Sequence, residues 1–163
     1  MNPNMSPVDW AKRPLQKYAD FTGRAPRPEY WWYVLGLIIA GVIVGIVEGI
    51  VGLKGMVMGL YGPLTLLLIL ATIVPSLAAG ARRLHDTNRS GWWQLIVWVP
   101  YAIVLVLRPA TGSTFGAVAL AGIVALIALI CAIVLLVFLV LPGTSGDNRF
   151  GPPTGESTAI AAE

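Results

Sequence analysis

The chain has 163 residues, of which 56% are hydrophobic and 12% charged, with a net charge of +3 and a mean hydropathy of +0.76. Soluble domains carry about 25% charged residues, so this composition excludes an ordinary water-soluble fold and points to a bilayer protein. The single cysteine, Cys131, excludes an intramolecular disulfide framework and a Cys-cluster zinc site, and the mild basicity gives no reason to expect a nucleic-acid partner.

Along the chain, Val8, Ala11, Leu15 and Tyr18 recur at helical spacing with Lys12, Arg13, Gln16 and Lys17 between them. This suits a short amphipathic helix lying in the membrane interface, broken or begun at Pro14. Residues 1–29 thus read as a cytoplasmic N-terminal segment, 30–153 as a membrane domain, and 154–163 as a disordered cytoplasmic tail. A membrane span needs roughly 20 apolar residues. Residues 30–53, 58–79 and 117–141 meet that length. Residues 92–107 form a shorter apolar run that contains Pro100 and is ended by Arg108. The first span begins too late and runs too long for a cleaved signal peptide. The expected fold is an all-α membrane protein: four transmembrane helices in two hairpins, preceded by the interfacial helix.

Charge sets the orientation. Of the 11 lysines and arginines, only Lys54 and Arg108 fall in the first and last connections between spans. The others lie in the N-terminal segment, the central loop and the tail, so the positive-inside rule makes those three cytoplasmic. Aromatic anchors agree: Tyr30, Trp31, Trp32 and Tyr33 open the first span, and Trp92 and Trp93 open the third.

Two features stand out inside the spans. Gly41, Gly45 and Gly49 recur every fourth residue and leave one helix face open to close backbone approach. Packing against the second span is the favoured reading, and a homodimer seam is the rival. Glu48 is the one ionisable residue within a span. Such an acid is a candidate for proton or ion coupling, but near the outer end it can snorkel and pair with Lys54 or Arg108.

The ionisable chemistry concentrates in three blocks that topology brings to one face: "FTGRAPRPEYWW" from Phe21, "ARRLHDTNRSGWW" from Ala81 and "GTSGDNRFGPP" from Gly143. In the central block the second span continues as helix to about Asp86. Arg82, His85 and Arg89 approach one face, Arg83 can pair with Asp86 three residues on, and Ser90 can cap the third span. Arginine forks suit phosphates. Arg24, Arg27, Arg82, Arg83, His85, Asp86, Arg89, Asn148 and Arg149 therefore make a candidate anionic site. Lipid headgroups at this depth are the plainer ligands. With one histidine in the chain, a metal site would need several carboxylates from elsewhere. His85 with Ser90 is a nucleophile pair by proximity alone, and no phosphate-binding loop, dinucleotide fingerprint or metalloprotease helix is present. No metal, cofactor or catalytic residue is expected.

Taken in order, "FTGRAPRPEYWW", "ARRLHDTNRSGWW" and "GDNRFGP" resemble the bacterial membrane-protein family catalogued as domain of unknown function 805. The signature falls on Gly23, Arg24, Arg27, Glu29, Tyr30 and Trp31, on Arg82, Arg83, Leu84, His85 and Asp86, on Ser90, Gly91 and Trp92, and on Asn148, Arg149, Gly151 and Pro152. The blocks bracket most of the chain. The resemblance implies a small multi-pass bacterial inner-membrane protein and implies no activity. Pro26 and Pro28, flanking Arg27, are less typical of it.

The leading expectation is a non-enzymatic membrane protein whose cytoplasmic belt binds an anionic phospholipid, a ligand or a membrane protein partner. Two rivals stand beside it. One is a transporter or channel subunit assembled as a homo-oligomer through the glycine face. The other is an enzyme acting on lipid headgroups through His85.

Overall fold

The computed structural model describes residues 5–53, 55, 61–107 and 115–154. Helix α1 spans Pro7–Gln16, α2 Arg27–Val51, α3 Pro63–Asp86, α4 Leu95–Leu107 and α5 Phe115–Val140, with a 3-10 turn, Gly91–Gln94, leading into α4. Among the described residues there is no β-strand, and Asn148 and Gly151 form an isolated bridge. Helix α1 packs on α2 and α3, α2 packs on α3, and α4 packs on α5. Helix α3 also touches the 3-10 turn and α5, so it is the axis of the molecule.

The helix boundaries have local causes. Ser6 accepts from the Asp9 amide while the Asp9 carboxylate accepts from the Ser6 amide, a capping box that starts α1. Pro14 does not break α1; it lies buried inside its last turn. Helix α2 ends at Gly52, whose φ of 76° is left-handed backbone that favours glycine. Helix α3 runs to Asp86 and closes in a Schellman arrangement. Asn88, at φ 57°, donates to the His85 carbonyl, and the Arg89 amide donates to the Leu84 carbonyl.

Among the described residues, three helical stretches are long and apolar enough to cross a membrane: Arg27–Val51, Pro63–Asp86 and Gly122–Val140. The expected span at 92–107 takes a different form. Its first turn winds as a 3-10 helix from the Ser90 cap, leaving 13 α-helical residues. At 1.5 Å per residue these reach about 20 Å, short of the roughly 30 Å hydrocarbon core. The second span starts at Pro63 rather than at residue 58, and residues 56–60 and 108–114 lie outside the described region.

Pro75 sits inside α3. Lacking an N–H, it leaves the carbonyl of Ala71, one turn back, without its helical partner. In lipid that would be costly. The Tyr18 hydroxyl, just beyond α1, donates to that carbonyl at 2.9 Å. From α2, the Tyr33 hydroxyl meets the Ser76 hydroxyl at 3.0 Å and reaches the Thr72 carbonyl at 3.4 Å. The kink-prone middle of α3 is thus braced by two tyrosines from different segments.

The glycine stripe does not pack as favoured. At Gly41, Gly45 and Gly49 no described atom lies within 4 Å of where a Cβ would stand, so α3 does not press on that face. Space is required instead at glycines such as Gly62, where a Cβ would collide with the Glu48 carboxyl group. Gly62 is the N-cap of α3 and has no side chain to cap with. Glu48 supplies the cap from α2: its two oxygens accept from the Thr65 amide at 2.8 Å and the Thr65 hydroxyl at 2.6 Å. Glu48 is 2% exposed, and its expected partners Lys54 and Arg108 lie outside the described residues. A carboxyl group here faces the orphan amides and positive dipole end of α3.

This arrangement makes a coupling prediction. Glu48→Ala removes the cap, at about 1–2 kcal/mol. Gly62→Ala pushes the same carboxyl group out of place. The two losses therefore overlap, and thermal melts of the purified protein in detergent should show the double variant destabilised by clearly less than the sum of the singles. Additive losses would mean that Glu48 does not act through the Gly62 site.

Candidate functional site

The C-terminal turn of α3 carries two consecutive arginines and an aspartate, and all three are buried: Arg82 and Arg83 are 0% exposed and Asp86 1%. Two more buried charges join them from the N-terminal block, Arg24 and Glu29. Isolated charges cannot stay buried; these form an internal network.

Asp86 is one centre. Its carboxylate accepts from Arg24 Nε at 2.9 Å, from Arg83 Nη1 at 2.5 Å and from the Thr154 hydroxyl at 3.3 Å. Glu29, in the first turn of α2, is the other. It pairs with Arg82 Nη2 at 3.2 Å and with Arg13 Nε, from α1, at 3.5 Å. The remaining donors of the three buried arginines go largely to backbone carbonyls. Arg24 donates to the carbonyls of Thr144 at 2.5 Å and Gly146 at 2.9 Å. Arg83 donates to the carbonyls of Leu139, at 2.9 Å, and Leu141, at the end of α5. Those carbonyls belong to the helix terminus that lacks intrahelical donors. Arg82 donates to the carbonyls of Asp20 and Lys17, and its Nε is the one buried side-chain nitrogen or oxygen without a partner among the described residues. The Thr22 hydroxyl and then its amide hold the Asp20 carboxyl below its usual range.

The backbone repeats the pattern. The Ala25 amide donates to the Arg82 carbonyl at 3.0 Å, and the Thr144 amide donates to the Asp86 carbonyl at 2.9 Å. Asn148 donates to the His85 carbonyl at 2.9 Å while its own oxygen accepts from the Phe150 amide. Gly143 sits against the Asp86 carboxylate, where a Cβ would collide with it. The three blocks therefore touch, with the end of α3 as their common anchor.

The candidate residues divide by environment. Arg24, Arg82, Arg83 and Asp86 are interior groups engaged with one another and with helix ends. His85 is half-buried; its Nδ1 lies 3.1 Å from the Gly23 carbonyl and its ring stacks on Phe150 at 3.8 Å, with 5° between the planes. Arg149 covers the Phe150 ring at 4.7 Å and donates to the Asn88 carbonyl at 3.3 Å. Arg89 lies over Phe138 at 4.1 Å and donates to the Thr87 carbonyl at 3.1 Å. Arg27 opens α2 beside Trp31. Among the described residues, neither Arg89 nor Arg149 has a carboxylate partner.

Sequence reasoning did not reach Glu29's role as second centre, nor Arg13, Gly143, Thr144, Phe150 or Thr154. Glu29 carried a signal, an acid in the first turn of an apolar helix beside arginines. The carbonyl partners carried none.

Removing one partner from a buried ion pair costs about 3–5 kcal/mol, because the other charge is left uncompensated. Asp86→Asn strands both Arg24 and Arg83, so it should lower thermal stability in detergent by at least that range and release the 141–154 segment to limited proteolysis. A melt and cleavage pattern like wild type would show that the network is not what holds the segment.

No solved structure matches the chain. Two relatives from Escherichia coli K12 do. The inner membrane protein YhaI is 39% identical over 112 residues, covering 68% of this chain and 90% of the relative. The inner membrane protein YhaH is 35% identical over 109 residues, covering 65% and 88%. The region from residue 18 to 152, which holds Arg24, Glu29, Arg82, Arg83 and Asp86 of the buried network, matches the family described as Protein of unknown function (DUF805), and the chain belongs to that family.

Proposed function

We propose that this chain is a multi-pass inner-membrane protein without catalytic activity, whose three polar blocks form one rigid platform on the cytoplasmic face. The platform binds anionic phospholipid headgroups through its outer arginines, Arg27, Arg89 and Arg149. One observation carries this reading: the buried network engages Arg24, Arg82 and Arg83, while Arg89 and Arg149 stand outside it, steadied on aromatic rings without carboxylate partners. Each such cation near an anionic leaflet contributes about 1 kcal/mol.

Connectivity supports four crossings. The segment after α5 meets the end of α3, and the turn before α4 also lies on α3. Helix α5 has 26 residues, enough to cross the core. Its start then lies on the far side, so the chain crosses once more between the 3-10 turn and α5. With the basic residues gathered on the near side, the positive-inside rule makes that side cytoplasmic. The inner-membrane location of the relatives agrees.

Two measurements test the reading. Fluorescent-protein fusions after residue 154 should fluoresce and alkaline phosphatase fusions near residue 111 should be active; the reverse pattern would overturn the topology. Separately, native mass spectrometry of wild type and an Arg89→Ala/Arg149→Ala variant should show phosphatidylglycerol retention about thirtyfold weaker in the variant, from about 2 kcal/mol lost, with phosphatidylcholine unaffected. Equal retention would remove headgroup binding from these arginines.

A further inference from the structure

A cleft of about 410 Å³ opens beside the network, within the size range of small-ligand sites. Leu77, Ala81 and His85, one turn apart along α3, form one wall. Phe21, Trp92 and Leu95 add the remaining large apolar lining. The cleft exists because the 3-10 turn rides close on α3: at Gly91 a Cβ would lie 2.7 Å from the Ala81 Cβ. Its lining is mostly apolar carbon, and its aromatic walls are exposed, Trp92 at 77% and Phe21 at 45%.

His85 and Ser90 are the polar groups beside Gly91, while Gln94, the other polar side chain of the lining, donates to the Leu77 and Gly91 carbonyls. A carbonyl only accepts, so the His85 contact with Gly23 places a proton on Nδ1. The other ring nitrogen, Nε2, lies 3.6 Å from the Cβ position of Gly91, on the cleft side. Among the described residues it has no hydrogen-bond partner. Ser90 also lines the cleft; its oxygen accepts from the Trp92 amide at 3.5 Å, which leaves its hydroxyl proton to donate. Arg149 adds positive charge through the Phe150 ring that stacks on His85.

We infer that this cleft is a specific binding site for one anionic phospholipid. An acyl chain lies along Leu77, Ala81 and Leu95, and the phosphate sits at His85 and Ser90, with the Arg149 charge nearby on the Phe150 ring. His85 takes a proton from solvent on Nε2 and donates it as a hydrogen bond to a phosphate oxygen, while Nδ1–H remains on the Gly23 carbonyl. Ser90 donates to a second oxygen. Charge complementarity selects the anionic headgroup, and the apolar floor selects a lipid over free phosphate. The inference rests on the headgroup-binding reading above and narrows it to one position and one stoichiometry.

The test uses the full-length chain in detergent, titrated with dioleoyl phosphatidylglycerol and followed by native mass spectrometry. Phosphatidylcholine and inorganic phosphate serve as comparison probes. His85→Asn keeps an amide donor near Nδ1 and removes the group facing the cleft. His85→Gln places an amide donor near Nε2. Leu95→Trp fills the cleft from a half-exposed position without touching the network. Wild type should hold one phosphatidylglycerol in preference to the others. His85→Asn and Leu95→Trp should each bind it about tenfold more weakly, the loss of one charge-assisted contact, and His85→Gln should recover most of the affinity. Thermal melts within a few degrees of wild type confirm that the variants fold. Wild-type affinity in both weakened variants would overturn the cleft site, as would equal binding of phosphatidylcholine or of phosphate alone. If those variants bind normally while Arg89→Ala/Arg149→Ala does not, the cleft fails and headgroup binding stands. If all bind alike, both fail.

Discussion

The structure depends on one constraint: a helix that ends at a membrane face has carbonyls with no donors, and the arginines that answer them must themselves be neutralised. Arg83 shows both halves. It donates to the carbonyls of Leu139 and Leu141 at the end of α5, and it pairs with Asp86 one turn along its own helix. Arg24 repeats the arrangement between Asp86 and the carbonyls of Thr144 and Gly146. Arginine suits this task because its five donors spread over a planar fork of three nitrogens and reach partners on separate segments, whereas the three donors of lysine diverge from a single nitrogen. The cationic side chains also face the negative dipole ends of α3 and α5.

The same requirement recurs down the length of α3. At its start the orphan amides are met by Glu48 from α2. In its middle the carbonyl freed by Pro75 is met by Tyr18. Each partner comes from another segment, so α3 cannot complete its own hydrogen bonding and the neighbouring segments hold it at three levels. That explains why so few apolar side chains are fully buried while several charged ones are. In a bilayer, apolar side chains gain little by leaving lipid. The specific geometry comes from polar groups that have nowhere else to go.

Much of this architecture was legible. Hydropathy marked the membrane-length helices, the three-residue spacing of Arg83 and Asp86 marked their pair, and Ser90 caps the turn it was expected to cap. The direction in which the arginines point was not legible. An arginine that reaches a headgroup and one that caps a neighbouring helix have the same composition and the same flanks. The partners that distinguish them lie 62 residues away for Arg24 with Asp86 and 120 away for Arg24 with Thr144. Backbone carbonyls, moreover, have no signature in a sequence. Glycines misled for a related reason. Gly41, Gly45 and Gly49 form the visible pattern, yet a Cβ would collide instead at Gly62, Gly80, Gly91 and Gly143, which form no regular stripe and face Glu48, Gln94, Ala81 and Asp86 respectively. The third span, 92–107, was read by apolar content, which does not register that the segment begins as a 3-10 turn.

Burying charge to hold a surface changes what that surface can do. A flexible loop of arginines would meet a lipid only after losing side-chain and backbone freedom, at a cost of up to about 1.5 kcal/mol per immobilised side chain. Here much of that freedom is already gone. Arg89 is fixed by the turn that closes α3 and by the Phe138 ring, and Arg149 by the Asn88 carbonyl and the Phe150 ring. His85 is held on both sides, by Gly23 and by Phe150. The buried pairs need contribute nothing to affinity directly; their effect is to keep three sequence-distant blocks in one geometry, so that a headgroup of the kind proposed would meet groups already in place. An arrangement of that kind favours selectivity among headgroups over sheer strength of membrane attachment, which the apolar helices supply in any case.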